Sequence, residues 1–138
     1  IDVSSEALKV AKQNALLNNV VISFLEIDIL DAAKLPQEYD IVVSNPPYVR
    51  ELEKVEVNNN VLQNEPHLAL FVDNNPLIFY KKIASLAKQH LTKNGLLFFE
   101  INQYLGKETV EMLQEQGFKN IELKKDFIGN DRMIKANV

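Results

Sequence analysis

The chain has 138 residues, 46% apolar and 25% charged, ordinary proportions for one soluble globular domain able to bury a core without staples. It contains no cysteine, which excludes disulfides, thiolate metal sites and cysteine nucleophiles, and His67 and His90 do not stand at metal-ligand spacing. No apolar stretch reaches membrane-spanning length, no signal segment opens the sequence, and a net charge of -4 argues against a non-specific nucleic-acid binder. The expectation is a cytoplasmic protein without a metal.

Ser4 is placed to cap a helix whose first turn holds Glu6, and Ala7, Leu8, Ala11 and Ala15 recur at helical spacing until Asn18-Asn19 ends the run. Residues 20–27, VVISFLEI, are β-branched and aromatic and predict a strand. A polar loop containing Pro36 leads to a short buried strand, 41–44. The segment 49–75 has little periodicity, and loops of that length inside a compact domain are usually functional or disordered. It holds Glu51, Glu53, Glu56, Glu65 and Asp73 against only Arg50 and Lys54, the wrong balance for a phosphate-binding surface.

Asn75-Pro76 predicts the start of a second helix, with Leu77, Tyr80, Ile83, Ala84, Ala87 and Leu91 on one apolar face and Asn94-Gly95 as its close. LLFFEI at 96–101 reads as a buried strand. A helix over 107–116 stops at Gly117, and strands over 121–127 and 132–137 join through Gly129-Asn130-Asp131 as a hairpin. Strand and helix alternate until that hairpin, which defines an α/β fold with a mostly parallel sheet and an antiparallel finish. There is no repeat, low-complexity tract or linker, so residues 1–138 read as one domain.

The stretch SNPPYVR at 44–50 carries the chemistry. In open α/β sheets ligands bind beyond the carboxyl ends of the strands, where Ser44 to Tyr48 fall. Asn45 precedes proline and is held extended, so its side chain takes a defined direction. Its side-chain oxygen and the Pro46 carbonyl make two acceptors suited to a planar NH2 group, against which Tyr48 can pack. Accepting both hydrogens localises electron density on a nitrogen otherwise delocalised, and aligns it for attack on an activated methyl group. A rigid strand-ending turn is the plainer alternative.

The sequence resembles the amino-methyltransferases that use S-adenosylmethionine, whose hallmark is Asn-Pro-Pro-Tyr after the fourth strand. Within that class it is most similar to the release-factor glutamine N5-methyltransferase family, called PrmC or HemK. The stretches that match, in order, are IDVSSEAL near the start, SNPPYV, EPHLAL at 65–70, NGLLFFEI at 94–101, GF at 117–118 and DFIGNDRMI at 126–134. The resemblance implies a Rossmann-like class I methyltransferase sheet and methylation of a glutamine side-chain amide in peptide chain release factors. It implies that Asp2 accepts from the ribose hydroxyls of the donor, and that Asp28 and Ile29 flank its adenine. Asn45, Pro46, Pro47 and Tyr48 would hold the acceptor amide, and Glu65 would shape the substrate loop. Glu100 and Asn102, at a strand end near the inferred site, are more simply structural, as are Phe79-Tyr80 and Phe98-Phe99.

The family's donor site opens with a strand and a glycine-rich turn ahead of Asp2. Here the four glycines are Gly95, Gly106, Gly117 and Gly129, all beyond the first helix. The sheet is therefore expected to be incomplete, with 20–27 and 41–44 lacking the strand that usually lies between them. A chain starting inside a domain in this way is expected to be inactive by itself, to bind donor weakly and to self-associate. A nucleic-acid amino-methyltransferase acting on adenine N6 or guanine N2, and a non-catalytic methyltransferase-like module, share parts of the pattern; the acidic 49–75 segment makes a nucleic-acid substrate the weaker reading.

Overall fold

The computed structural model describes residues 1–47 and 75–138. The described residues fall into two compact units, Ile1–Lys34 and Leu35–Val138.

In the first unit, helix α1 (Ser5–Leu17) begins as its sequence implies. Ser4 Oγ accepts the Ala7 N–H at 3.2 Å, and Asp2 Oδ1 accepts the Ser4 N–H at 2.8 Å. A serine cap of this kind stabilises a helix by about 1 kcal/mol. The helix ends where Asn19 turns left-handed at φ 52°. There the Asn19 N–H reaches Leu16 O at 3.1 Å and the Val20 N–H reaches Ala15 O at 3.0 Å, the paired bonds of a Schellman close.

The strand expected over 20–27 does not form. A strand exists only through its ladder, and here the ladder is a single parallel bridge between Asp2 and Glu26. Asp2 donates to Leu25 O at 3.1 Å and accepts from the Ile27 N–H at 3.0 Å. Two residues later the first segment has already become the cap of α1, and the Val20 N–H is used in closing that helix. Val20, Val21 and Ile22 stay exposed.

The second unit holds β1 (Tyr39–Ser44), α2 (Ile78–His90), β2 (Leu91–Glu100), α3 (Gly106–Glu115), β3 (Lys119–Lys125) and β4 (Asp131–Asn137). They build a sheet of order β1-β2-β4-β3. The pair β1–β2 is parallel, and β4 runs antiparallel to both β2 and β3. Three strands thus share a direction, but only one of the three pairings is parallel, because β4 is inserted between β2 and β3. One rung crosses the sheet at Ser44, Phe99, Ile134 and Leu123.

Helix α2 buries Tyr80, Ile83, Ala84 and Ala87, the i, i+3, i+4, i+7 stripe of a helix lying on a sheet. Beneath it β2 buries Leu97 and Phe99, followed by Ile101, and β4 buries Ile134 and Ala136. Removing a side chain such as Phe99 from water stabilises the fold by roughly 2–3 kcal/mol. Helix α3 adds Thr109, Met112 and Leu113.

Several boundaries differ from expectation. Helix α2 starts at Ile78, after a turn in which Asn75 Oδ1 accepts the Leu77 N–H at 3.3 Å. It ends at His90, not at Asn94-Gly95, because the buried Leu91 is already extended at φ -78° and ψ 138°. Residues 92–95 belong to β2, where the register jumps from Tyr39–Leu91 to Ile41–Leu96 and takes up the extra length. The hairpin turn is 126–130, with Asp131 in the strand paired to Lys125. His90, the last residue of α2, accepts the Leu35 N–H at Nε2 across 3.2 Å.

Helix α3 runs into Gln116 and closes through Gly117 at φ 78°. The Gly117 N–H reaches Gln114 O at 2.8 Å and the Phe118 N–H reaches Leu113 O at 3.0 Å, a second Schellman close at a position where a side chain would be strained.

Candidate active site

The candidate residues fall at two places. In the first unit, the Asp2–Glu26 bridge brings Asp2 and Asp28 to the same end of two parallel segments, each at the point where its segment stops. Both are exposed, and each carboxylate is fixed locally: Asp2 Oδ1 by the Ser4 N–H, and Asp28 Oδ1 by the Leu30 N–H at 2.9 Å. Asp28 O also accepts the Asp31 N–H at 3.1 Å, so the chain turns immediately after it. Ile29 in that turn is half-buried.

In the second unit, Asn45, Pro46 and Pro47 leave the carboxyl end of β1 directly beyond the Ser44–Phe99 pair. Asn45 is exposed, Pro46 is buried and Pro47 is half-buried. A buried proline following an exposed asparagine sets the turn's backbone in the fold while its polar side chain remains accessible. Tyr48 and Glu65, together with the rest of residues 49–74, EPHLAL and His67 among them, lie outside the described residues.

The neighbouring strand end is tightly fixed. Tyr80 of α2 sets its ring edge-on to Phe99, with centroids 5.1 Å apart and planes at 87°, and its hydroxyl donates to Glu100 O at 3.2 Å. Asn102 is 4% exposed, and its Oδ1 accepts the Tyr104 N–H at 2.9 Å while its carbonyl accepts the Leu105 N–H at 3.0 Å. Asn102 therefore shapes the turn from β2 into α3, which is the structural role its sequence position suggested. Tyr80, read from sequence as helix-face packing, also anchors the edge beside Asn45. Its place on the apolar stripe signalled burial, but nothing in the sequence signalled the hydroxyl's partner.

Among the described residues no group of His, Asp or Glu could hold a metal ion, and no helix is long and apolar enough to cross a membrane. The shifted carboxylates are on the hairpin. Glu122 is held below the usual range by hydrogen bonds from Lys135 and Lys124. Asp126 is lowered too: desolvation acts against it, but the N–H groups of Asn130, Ile128 and Gly129 and the Arg132 side chain outweigh that effect.

In the second unit the parallel strand β1 runs out into Ser-Asn-Pro-Pro, as the resemblance to methyltransferases implies. The chain belongs to the methyltransferase small domain family, whose model matches residues 1–127. Over the residues they share, it is 63% identical to the release factor glutamine methyltransferase of Flavobacterium psychrophilum, covering 99% of this chain and 48% of that protein. The protein of the same name from Bacteroides thetaiotaomicron is 43% identical, covering 99% of this chain and 50% of that protein. The chain thus spans about half the length of the curated relatives it matches. In fold it is similar to a ribosomal protein L11 methylase from Lactobacillus delbrueckii subsp. bulgaricus, with a TM-score of 0.59 at 20% identity, covering 98% of this chain and 53% of that one.

Proposed function

We propose that this chain is the catalytic portion, one domain over residues 1–138, of a cytoplasmic protein-glutamine N5-methyltransferase. Its methyl donor is S-adenosylmethionine and its substrates are peptide chain release factors. The observation that carries the reading is the exposed Asn45 on a proline turn at the carboxyl end of a parallel strand, in a chain so similar to release factor glutamine methyltransferases.

The residues present fit such a donor. A carboxylate has about four acceptor sites, so Asp2, with one oxygen engaged by the Ser4 N–H, retains capacity for two adjacent ribose hydroxyls. Asp28 and Ile29 flank the adenine. When bound, the donor supplies a sulfonium-activated methyl group.

Asn45 Oδ1 and the Pro46 carbonyl accept the two hydrogens of the glutamine amide, while Pro47 stiffens the turn and Tyr48 packs on the flat face of the amide. Glu65 shapes the loop around it. Holding both hydrogens withdraws the nitrogen lone pair from the carbonyl and orients it, which supplies positioning and electrostatic stabilisation without a strong base. Residues 1–138 are proposed to be prone to self-association through the β1 edge.

The full-length gene product, incubated with labelled donor and either a release factor or DNA, tests the reading. Label on a glutamine of the release factor is expected. Label on DNA alone would transfer the assignment to adenine or guanine amines, and label on neither would leave a methyltransferase-like module without this activity.

A further inference from the structure

The hairpin turn 126–130 stands at the same end of the sheet as Asn45, beyond the carboxyl ends of β3 and β1, the two outer strands. Since β3 runs parallel to β1, and the rung Ser44–Phe99–Ile134–Leu123 crosses all four strands, position along the strands can be counted from it. Asn45 lies one residue beyond the rung and Phe127 four. At about 3.3 Å per residue and 4.8 Å per strand, the turn rises about 10 Å above the Asn45 position and stands about 14 Å to its side.

The turn is rigid. Asp126 Oδ1 accepts the N–H groups of Ile128, Gly129 and Asn130 at 2.9, 2.9 and 3.0 Å. The Asp126 N–H donates to Asn130 O at 2.8 Å, and Gly129 takes the left-handed φ of 103° that the reversal requires. Arg132 Nε lies 3.5 Å from Asp126 Oδ2. On this frame Phe127 is 100% exposed and Ile128 74% exposed.

Asp126 and Gly129 account for the turn, and a phenylalanine with its whole surface in water does nothing for folding. Turn tips favour Gly, Asn, Asp, Ser and Pro for local reasons, and two successive large apolar residues there are not among them. An aromatic presented on a turn whose backbone is held by hydrogen bonds suits a protein interface, because little backbone entropy remains to be lost on binding.

Resting on the proposed function, we infer that Phe127 and Ile128 form a docking knob for the methyl-accepting protein, engaging an apolar pocket on that protein while its glutamine reaches Asn45. The distance between the two points favours a polypeptide, since a free glutamine cannot touch both while an extended segment of about six residues spans roughly 20 Å. Each cation beside the knob is engaged by a carboxylate, Lys124 and Lys135 sharing Glu122, Lys125 pairing with Asp131 and Arg132 with Asp126, which weakens their attraction for phosphates.

The test uses the full-length gene product with Phe127→Ser and Ile128→Ser together, and a Phe127→Leu control that keeps an apolar knob. Acceptors are an intact release factor and a short peptide bearing its glutamine; release-factor binding is also measured by calorimetry. The double variant is expected to raise KM for the intact factor and weaken its binding by about tenfold or more, with kcat and peptide kinetics unchanged and Phe127→Leu near wild type. Unchanged KM and binding for the intact factor would overturn the docking site, as would an equal loss with the peptide or no binding by the wild type. A wild type that binds the factor through these residues without methylating it would keep the knob and remove the proposed reaction.

Discussion

The hydroxyl of Tyr80 donates to the backbone carbonyl of Glu100 across 3.2 Å, joining the first turns of α2 to the carboxyl end of β2. That strand end is the neighbour of the Asn45 turn, so a bond made in the core fixes the edge at which the chemistry is proposed. Tyr80→Phe keeps the ring contact with Phe99 and removes the hydroxyl that makes this bond. Leaving the carbonyl without that partner costs about 1–2 kcal/mol, and Tyr80→Ala costs about 3–5 kcal/mol through the added cavity. Urea unfolding of the full-length protein should show both losses; a Tyr80→Phe midpoint equal to wild type would mean the hydroxyl contributes nothing to the edge.

Asn45 is exposed, so its replacement should separate chemistry from folding. Asn45→Ala should leave stability within about 0.5 kcal/mol. Transfer to the release factor should fall by about 10²–10³-fold, the usual effect of deleting one preorganised electrostatic partner. The loss should appear in kcat more than in KM. Turnover by Asn45→Ala equal to wild type would remove this residue from the mechanism.

Gly117 offers a purely conformational test. At φ 78° an alanine is strained by about 1–2 kcal/mol, and its Cβ would fall against Lys88 Nζ. Asparagine, which tolerates the left-handed region, should cost less. Thermal melts of Gly117→Ala and Gly117→Asn should rank in that order, and equal stability of alanine and wild type would show that the close of α3 does not need the left-handed residue.

These cases show what the sequence could and could not disclose. Local signals were legible: Ser4 as a cap, Asn19 and Gly117 as helix ends, and the apolar run LLFFEI as a buried strand. Residues 20–27 misled because β-branched composition reports fitness for a ladder, whereas a strand also needs a partner, and Asp2 supplies only one bridge. Asn94-Gly95 misled because a stop signal near a helix end cannot exclude a bulge just after it. The role proposed for Asn45 was drawn from its residue type ahead of two prolines, and those of Asp2 and Asp28 from the family resemblance; the structure locates each at the end of its segment. The Tyr80–Glu100 bond was not legible, because it joins positions twenty residues apart through tertiary packing.

Strand β1 lies at the end of the sheet order, with Ile41 and Val43 exposed at 55% and 73%. An apolar edge strand is a template for further pairing. Residues 1–138 alone should therefore self-associate with increasing concentration, and Ile41→Lys with Val43→Lys should suppress it, since edge lysines oppose pairing. Sedimentation velocity decides: a concentration-independent monomer for the unsubstituted chain would dispose of the claim.

The Asp126 carboxylate gives the hairpin a pH signature. Its native pKa lies below the usual aspartate range because the N–H groups of Asn130, Ile128 and Gly129 and the Arg132 side chain outweigh its desolvation. Above that range the group is ionised in both folded and unfolded chains, and its stabilising effect is complete. As pH falls through the range the unfolded chain takes up the proton first, so stability falls with pH, and the contribution is gone once pH passes below the native value. Glu122, lowered by Lys135 and Lys124, titrates in the same direction on the same hairpin. Asp126→Asn retains an oxygen for the turn's N–H groups but cannot titrate, so the stability difference between wild type and Asp126→Asn should shrink as the solution is acidified through the carboxylate range. Hydrogen exchange at Ile128, Gly129 and Asn130 reads the same equilibrium locally, and protection there should fall over the same interval. A stability difference and a protection pattern that both stay constant through that interval would show that the carboxylate charge does not hold the turn.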